Sequence, residues 1–179
     1  MADITHGTWI KDGKAVDAVY QSGVKVYGRN LYVDTENFDN PDVWNSFSSW
    51  SKTSDKYEGL TVMKGSQNWN GLGQTIQTKK GETYTFSSYA RYESGTGQSN
   101  IYFRATNSLT NTNIGAVSVS LTDTWQRVSG TVTVTDDGPL YARIERTSDN
   151  TNTLLVAGLK LEKGATATPY SIAPEDILN

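Results

Sequence analysis

From Asn30 to about Lys163 the chain is a succession of short runs in which apolar and polar residues alternate, each closed by a cluster of turn-forming residues. The runs include "NLYV", "WSKT", "LTVMK", "GQTIQT", "TYTFSSYARY", "NIYFRAT", "GAVSVSL", "WQRVSGTVTV", "LYARIER" and "TLLVAGLKLE"; between the later ones lie "ESGTGQSN", "NSLTNTN", "TDDG" and "SDNTNT". A side-chain period of two is that of a half-buried β-strand. Strands recurring at roughly 10–15-residue intervals, with turn signals between them, have the rhythm of a β-sandwich or jelly roll. No helical period is sustained, apart from "APEDILN", which starts with the Pro and acids of a helix N-terminus. The expected fold class is therefore all-β, a sandwich of two antiparallel sheets.

The bulk properties narrow the function. With 179 residues the chain can fill one core, or one core plus an appendage. A formal charge of −3 lacks the basic excess of a phosphate-tracking protein, so no nucleic-acid partner is expected. The absence of cysteine removes disulfides and thiolate metal sites. No run approaches the roughly 20 apolar residues of a membrane span. The start "MADITHGTW" also lacks the basic-then-apolar order of a secretory signal, so neither membrane insertion nor that export route is expected.

The first stretch has its own organisation. "GTWIKDGKAVDAVYQSGVKVYG", residues 7–28, predicts three short strands with tight turns at Asp12-Gly13 and Ser22-Gly23. So short a meander cannot bury a core alone and must dock, either on the main domain as a sheet extension or on another protein as an attachment module. The expected division is an N-terminal meander over 1–29, a sandwich over 30–173 and a tail over 174–179.

Alternation also assigns faces. Tyr84, Phe86, Ser88 and Ala90 share one side of their strand, as do Ile101, Phe103 and Ala105, and Leu140, Ala142 and Ile144. The opposite sides carry Tyr89 and Arg91, Tyr102 and Arg104, and Tyr141, Arg143 and Glu145, so a Tyr-x-Arg rhythm occurs on three strands. Outward Tyr and Arg can serve only cross-strand pairing. Three such pairs on one curved sheet would line a groove suited to sugars, with rings to stack on pyranose faces and guanidinium donors for hydroxyls or anions. The expected saccharide-contacting residues are Tyr89, Tyr102 and Tyr141 as platforms, Arg91, Arg104 and Arg143 as donors, Glu145 as acceptor and Trp69, on the turn "SQNWNGLGQ", at the rim. Trp125 is expected to be a packed anchor.

Catalytic constellations are missing. The sole histidine is His6, which removes Ser-His-Asp triads and multi-His zinc sites, and no nucleophile elbow or phosphate loop occurs. A paired-carboxylate glycosidase needs two acids facing one site, whereas Glu145 alone stands in mid-strand on the proposed face. An enzyme is not expected.

The order of "NLYVDTENFDN", "GLGQTIQTKKGETYTFSSYAR", "LTDTWQRVSGTVTVTDDGPLYARIER" and "LKLEKGATATPY" resembles the jelly-roll carbohydrate-binding modules of the family 4/9/22 type, in the variant found in tail and baseplate proteins of phages of lactic acid bacteria and streptococci. The resemblance covers roughly residues 30–173, and the segment 7–30 resembles the lead-in of such phage structural proteins. It implies non-catalytic binding of a host cell-wall or surface polysaccharide. It also implies a place in the virion and contact with other tail or baseplate proteins through the N-terminal segment. The alternative is a structural baseplate or fibre module whose sandwich packs against protein. Many such modules hold a structural calcium between an acid near the first strand and an Asp in the last. Asp39 stands in the first region, but Ala157 and Gly158 stand where the second carboxylate would be, so neither metal nor cofactor is expected.

Overall fold

The computed structural model describes residues 2–5, 7–106 and 111–178; His6 lies outside them. Two antiparallel sheets form the body. One has four strands in the order β11 (Asn111–Leu121), β10 (Gly97–Thr106), β13 (Gly138–Arg146), β8 (Leu72–Thr78). The other has five, in the order β12 (Gln126–Thr133), β9 (Thr83–Tyr92), β14 (Leu154–Lys163), β7 (Leu60–Gly65), β6 (Trp50–Tyr57). The inner faces read as the alternation predicts. Leu72, Ile101, Phe103, Leu140, Ala142 and Ile144 from one sheet meet Met63, Tyr84, Phe86, Ala90, Leu154, Val156 and Leu161 from the other in one buried cluster. The chain is thus a jelly-roll sandwich, and a short helix, α1 (Glu175–Leu178), follows the last strand.

One run expected as a strand is not one. Residues 30–33, "NLYV", are extended but join no ladder, because side chains take over the backbone bonding. The Asn30 carboxamide accepts from the Tyr32 and Leu161 amides. The Gln74 carboxamide accepts from the Val33 amide and donates to the Val33 carbonyl. Such local side-chain bonds satisfy buried backbone groups without a neighbouring strand. They also place the Tyr32 ring in the core, its hydroxyl donating to the Gln74 and Ala142 carbonyls at 2.9 and 2.7 Å.

The N-terminal segment forms two small sheets, β1 (Ala2–Thr5), β2 (Thr8–Lys11), β3 (Lys14–Ala15), and β4 (Ala18–Gln21) with β5 (Val24–Gly28). Asp12-Gly13 and Ser22-Gly23 make the expected tight turns, with φ of 52° and 71°, and 48° and 78°. Two positive φ values in succession match the twist of a hairpin. This arm is docked on the sandwich. Thr8 Oγ1 donates to the Ile172 carbonyl at 2.5 Å, the Gly28 amide donates to Thr168 Oγ1 at 3.1 Å, and Lys25 Nζ pairs with Glu162 Oε1 at 2.8 Å.

Glu162 belongs to a buried polar knot on β14. Lys160, without solvent exposure, donates through Nζ to Thr168 Oγ1, the Pro169 carbonyl and Ser171 Oγ, and lies 3.8 Å from Glu162 Oε2. Burial pushes the Lys160 ammonium down to about 8 from its usual 10.5, against the pull of Glu162. Between those values the unfolded chain holds a proton that the native one has lost, so stability rises with pH. The buried tyrosines act oppositely, from about a unit below their ordinary value of 10 upward. Urea unfolding should therefore show a net gain on the order of 1 kcal/mol between about pH 7 and about pH 9. The slope should be absent in Lys160→Met; an equal slope in that variant would assign the effect elsewhere.

Candidate functional site

The outer face of the four-stranded sheet is set by the pairing of β10 with β13. Tyr102 stands opposite Arg143 and Arg104 opposite Tyr141, so two tyrosines and two arginines alternate as a two-by-two checkerboard. Each guanidinium lies over a ring: Arg143 is 4.6 Å from the Tyr102 centroid and 5.1 Å from that of Tyr141, and Arg104 is 5.2 Å from Tyr141. These contacts hold the guanidinium groups against the rings; Arg143 Nε is bonded to Glu145 and Arg104 Nε is buried, so what remains for a ligand is their terminal N–H groups. Asn100, whose Oδ1 accepts from Ser118 Oγ at 3.1 Å, borders the checkerboard on the β10–β11 side. On the other side Asn45 Nδ2 donates to Thr75 Oγ1 at 2.9 Å. A cleft of about 410 Å³ opens beside Thr75 at the free edge of β8, between Val33, Asp42, Asn45 and Ile76. These amide and hydroxyl neighbours were absent from the sequence expectation. The same period of two that singled out Tyr102 and Arg104 also marks Asn100 and Ser118.

Two expected contacts are buried instead of open. Tyr141 is 2 % exposed, its hydroxyl donating to the Gly71 carbonyl at 3.0 Å while the two guanidinium groups cover its ring. Glu145 is 1 % exposed; its Oε2 accepts from Arg143 Nε at 2.6 Å, and burial pushes its carboxyl up against the downward pull of Arg143. Both serve as the floor that fixes the arginines. The cover is the turn before β8: a Cβ at Gly71 would stand 2.5 Å from Arg143 Cδ, so only glycine lets the backbone pass so close. Trp69 projects from that turn at the end of β13. It has φ of 59°, is 51 % exposed and has its amide bonded to the Arg146 carbonyl at 2.9 Å.

Tyr89 and Arg91 do not join this face. Strand β9 lies in the five-stranded sheet, so its outward residues point away from the checkerboard on the other side of the sandwich. The single groove lined by three Tyr-x-Arg strands is therefore corrected to two strands. Alternation tells inside from outside, but not which sheet a strand joins. On their own face Tyr89 and Arg91 belong to a ladder. Arg127 sits 4.5 Å over Tyr89, Tyr89 meets Tyr57 edge-on at 5.0 Å, Tyr57 stacks on Trp125 at 4.5 Å and Arg91 sits 5.4 Å over Trp125. The ladder roofs a second apolar cluster of Leu60, Val62, Leu155 and Ala157. Trp125 is thus a packing residue, as its position at a strand start predicts.

The bulge in β14 explains Ala157-Gly158. Gly158 has φ of 57°, and a Cβ there would meet Leu60 Cδ1 at 2.8 Å and both Tyr89 and Tyr170 at 3.1 Å. Arg127 Nη1 donates to the Gly158 carbonyl at 2.7 Å.

A family model described as "Carbohydrate binding domain", CBM_4_9, matches residues 30–152. A search of curated protein sequences returns no match. Among solved structures, one described as "CBM4 structure and function" shares 22 % identity at a TM-score of 0.52, over 74 % of this chain and 94 % of that one. The "Xylan-Binding Domain from CBM 22" shares 17 % at 0.58, over 78 % and 97 %. The CBM22-1-CBM22-2 tandem domain from Paenibacillus barcinonensis Xyn10C shares 15 % at 0.59, over 79 % and 46 %. At these identities the structures are similar in fold.

The division into floor and lining has a stability signature. Tyr141→Ala should cost about 3–5 kcal/mol by urea denaturation, as expected for a buried ring, and the partly buried Tyr102→Ala clearly less, about 1–2 kcal/mol. Equal losses would contradict the assignment.

Proposed function

The chain belongs to the CBM_4_9 family of carbohydrate binding domains, and from that premise we propose that it binds a polysaccharide of the host cell wall or surface, without catalysis, on the outer face of its four-stranded sheet. The observation that carries the reading is the Tyr102–Arg143–Tyr141–Arg104 checkerboard, a partly exposed aromatic and guanidinium surface with amide and hydroxyl neighbours. Tyr102 and Trp69 offer ring surface to pyranoses, and Arg104 and Arg143 offer donors. Tyr141 and Glu145 hold those donors in place. The non-catalytic reading is supported by the carboxylates: Glu145 is the one the four strands turn outward among the described residues, and it is buried against Arg143, whereas glycoside hydrolysis requires two acids about 5–10 Å apart across the bond. We propose no calcium at the β14 bulge, since the Gly158 carbonyl there already accepts from the Arg127 cation.

The setting we propose is a phage adhesion device, with the N-terminal arm attaching the module to tail or baseplate proteins. Support comes from the arm itself, which is anchored to the sandwich through Lys25 yet leaves Tyr20 65 % and Val24 62 % exposed on its outer hairpin. Exposed apolar side chains at a hairpin tip are a natural contact for another protein. A shallow face yields weak single-site affinity, and many copies on one particle would supply avidity.

Binding of the tagged chain to whole bacteria and to purified wall polysaccharide should weaken about tenfold or more in Tyr102→Ala and in Arg104→Ala. It should stay unchanged in Arg91→Ala, on the opposite sheet, and in the presence of chelator. Undiminished affinity in the first two variants, each confirmed as folded, would remove the face. Val24→Asp should leave saccharide binding intact while abolishing incorporation into particles.

A further inference from the structure

We infer that the saccharide bound on this face is anionic, carrying a carboxylate or a phosphodiester that sits between Arg104 and Arg143; the inference rests on the saccharide-binding reading above. Among the described residues, the charged side chains that β8, β10, β11 and β13 turn outward are Arg104, Arg143 and Glu145. Beyond the strands, Lys79 and Asp137 neutralise one another at 3.1 Å, and Asp42 stands exposed past the edge of β8. Among the strand residues two cations stand against one carboxylate, a local +1 at the checkerboard itself, on a chain whose formal charge is −3.

The geometry sharpens this excess. Both guanidinium groups lie against the same phenol ring, 5.2 and 5.1 Å from the Tyr141 centroid, so the two like charges stand within about 10 Å of each other, where repulsion is modest and screened by salt. The one buried carboxylate, Glu145, is engaged by Arg143 through Nε and also feels the charge of Arg104, so a single anion is shared between two cations. Arg104 is in no ion pair among the described residues. A neutral sugar would satisfy N–H donors but leave the repulsion in place. An anionic group between the two forks relieves it and accepts charge-assisted hydrogen bonds in the geometry that guanidinium favours. Because stacking already orders both arginines, little side-chain freedom is lost on binding.

Wall polysaccharide from a strain that the chain labels would be titrated in three forms: intact, carboxyl-reduced, and freed of phosphodiesters with hydrofluoric acid. One of the two treatments should weaken binding about tenfold or more, and which one identifies the anion. Affinity for the intact form should also fall as sodium chloride rises from about 50 to about 500 mM. Arg104→Gln should lose affinity to the same degree and bind intact and neutralised forms alike, while Arg104→Lys keeps part of the preference. Should that variant fail to fold, the chemical treatments on the unaltered chain still decide. If both treated forms bind like the intact one while Tyr102→Ala still abolishes binding, the anionic inference falls and the saccharide reading stands. If neither Tyr102→Ala nor Arg104→Gln changes binding of any form, the face itself is wrong and both fall.

Discussion

The register of β10 against β13, from Ser99 opposite Arg146 to Ala105 opposite Leu140, sets both sides of the four-stranded sheet at once. With it, Ile101, Phe103, Ala142 and Ile144 enter the core, and Tyr102, Arg104, Tyr141 and Arg143 meet on the outside. A slip of one residue in either strand would turn that strand's apolar set outward and put its guanidinium group into the core. The burial of four apolar side chains therefore enforces the placement of the arginines. The register brings the four side chains to one face, and Tyr141, Glu145 and the Gly71 turn then fix the arginines within it.

Much of this was legible in the sequence, for a definable reason. Alternation within "NIYFRAT" and "LYARIER" reports facing directly, because side-chain direction is local to the strand. It does not report partnership. The run "TYTFSSYARY" carries the same pattern, yet the chain path delivers it to the other sheet, and nothing within ten residues could reveal that. Burial from above was equally hidden. Tyr141 and Glu145 point outward as read, but the turn holding Gly71 comes from a distant stretch of sequence and closes over them. The extended run at 30–33 failed as a strand for the opposite reason. Its local pattern is strand-like, but it makes a single backbone bond to β14, from the Leu31 amide to the Leu161 carbonyl, and the Asn30 and Gln74 side chains take the amides of Tyr32 and Val33 and the Val33 carbonyl.

The N-terminal arm and the last strand are joined by charges as well as by the buried Tyr27 ring, which lies 5.4 Å from the Lys160 ammonium. Lys25 reaches Glu162, Glu162 also accepts from the Thr168 amide, and Lys160 gathers Thr168, Pro169 and Ser171. Removing charges from water is costly, and a buried pair repays that only when its remaining hydrogen bonds are met. Here they are met by the segment that leaves β14, so the arm, the strand and the C-terminal path are specified together.

The two outer faces carry similar residues and differ in what those residues are occupied with. On the five-stranded sheet the backbone side is apolar, and Tyr57, Tyr89 and Trp125 are consumed in covering Leu60, Val62, Leu155 and Ala157. Lifting them to admit a ligand would expose that cluster, at about 25 cal/mol for each Å² uncovered. On the four-stranded sheet the neighbours of Tyr102 and Arg104 are Asn100, Ser118 and Thr75, which lose nothing by facing water. A ligand there displaces solvent from donors that already face outward. The same Tyr-x-Arg motif is therefore structural where it roofs apolar side chains and available for recognition where it borders polar ones, and the layer beneath the motif decides which.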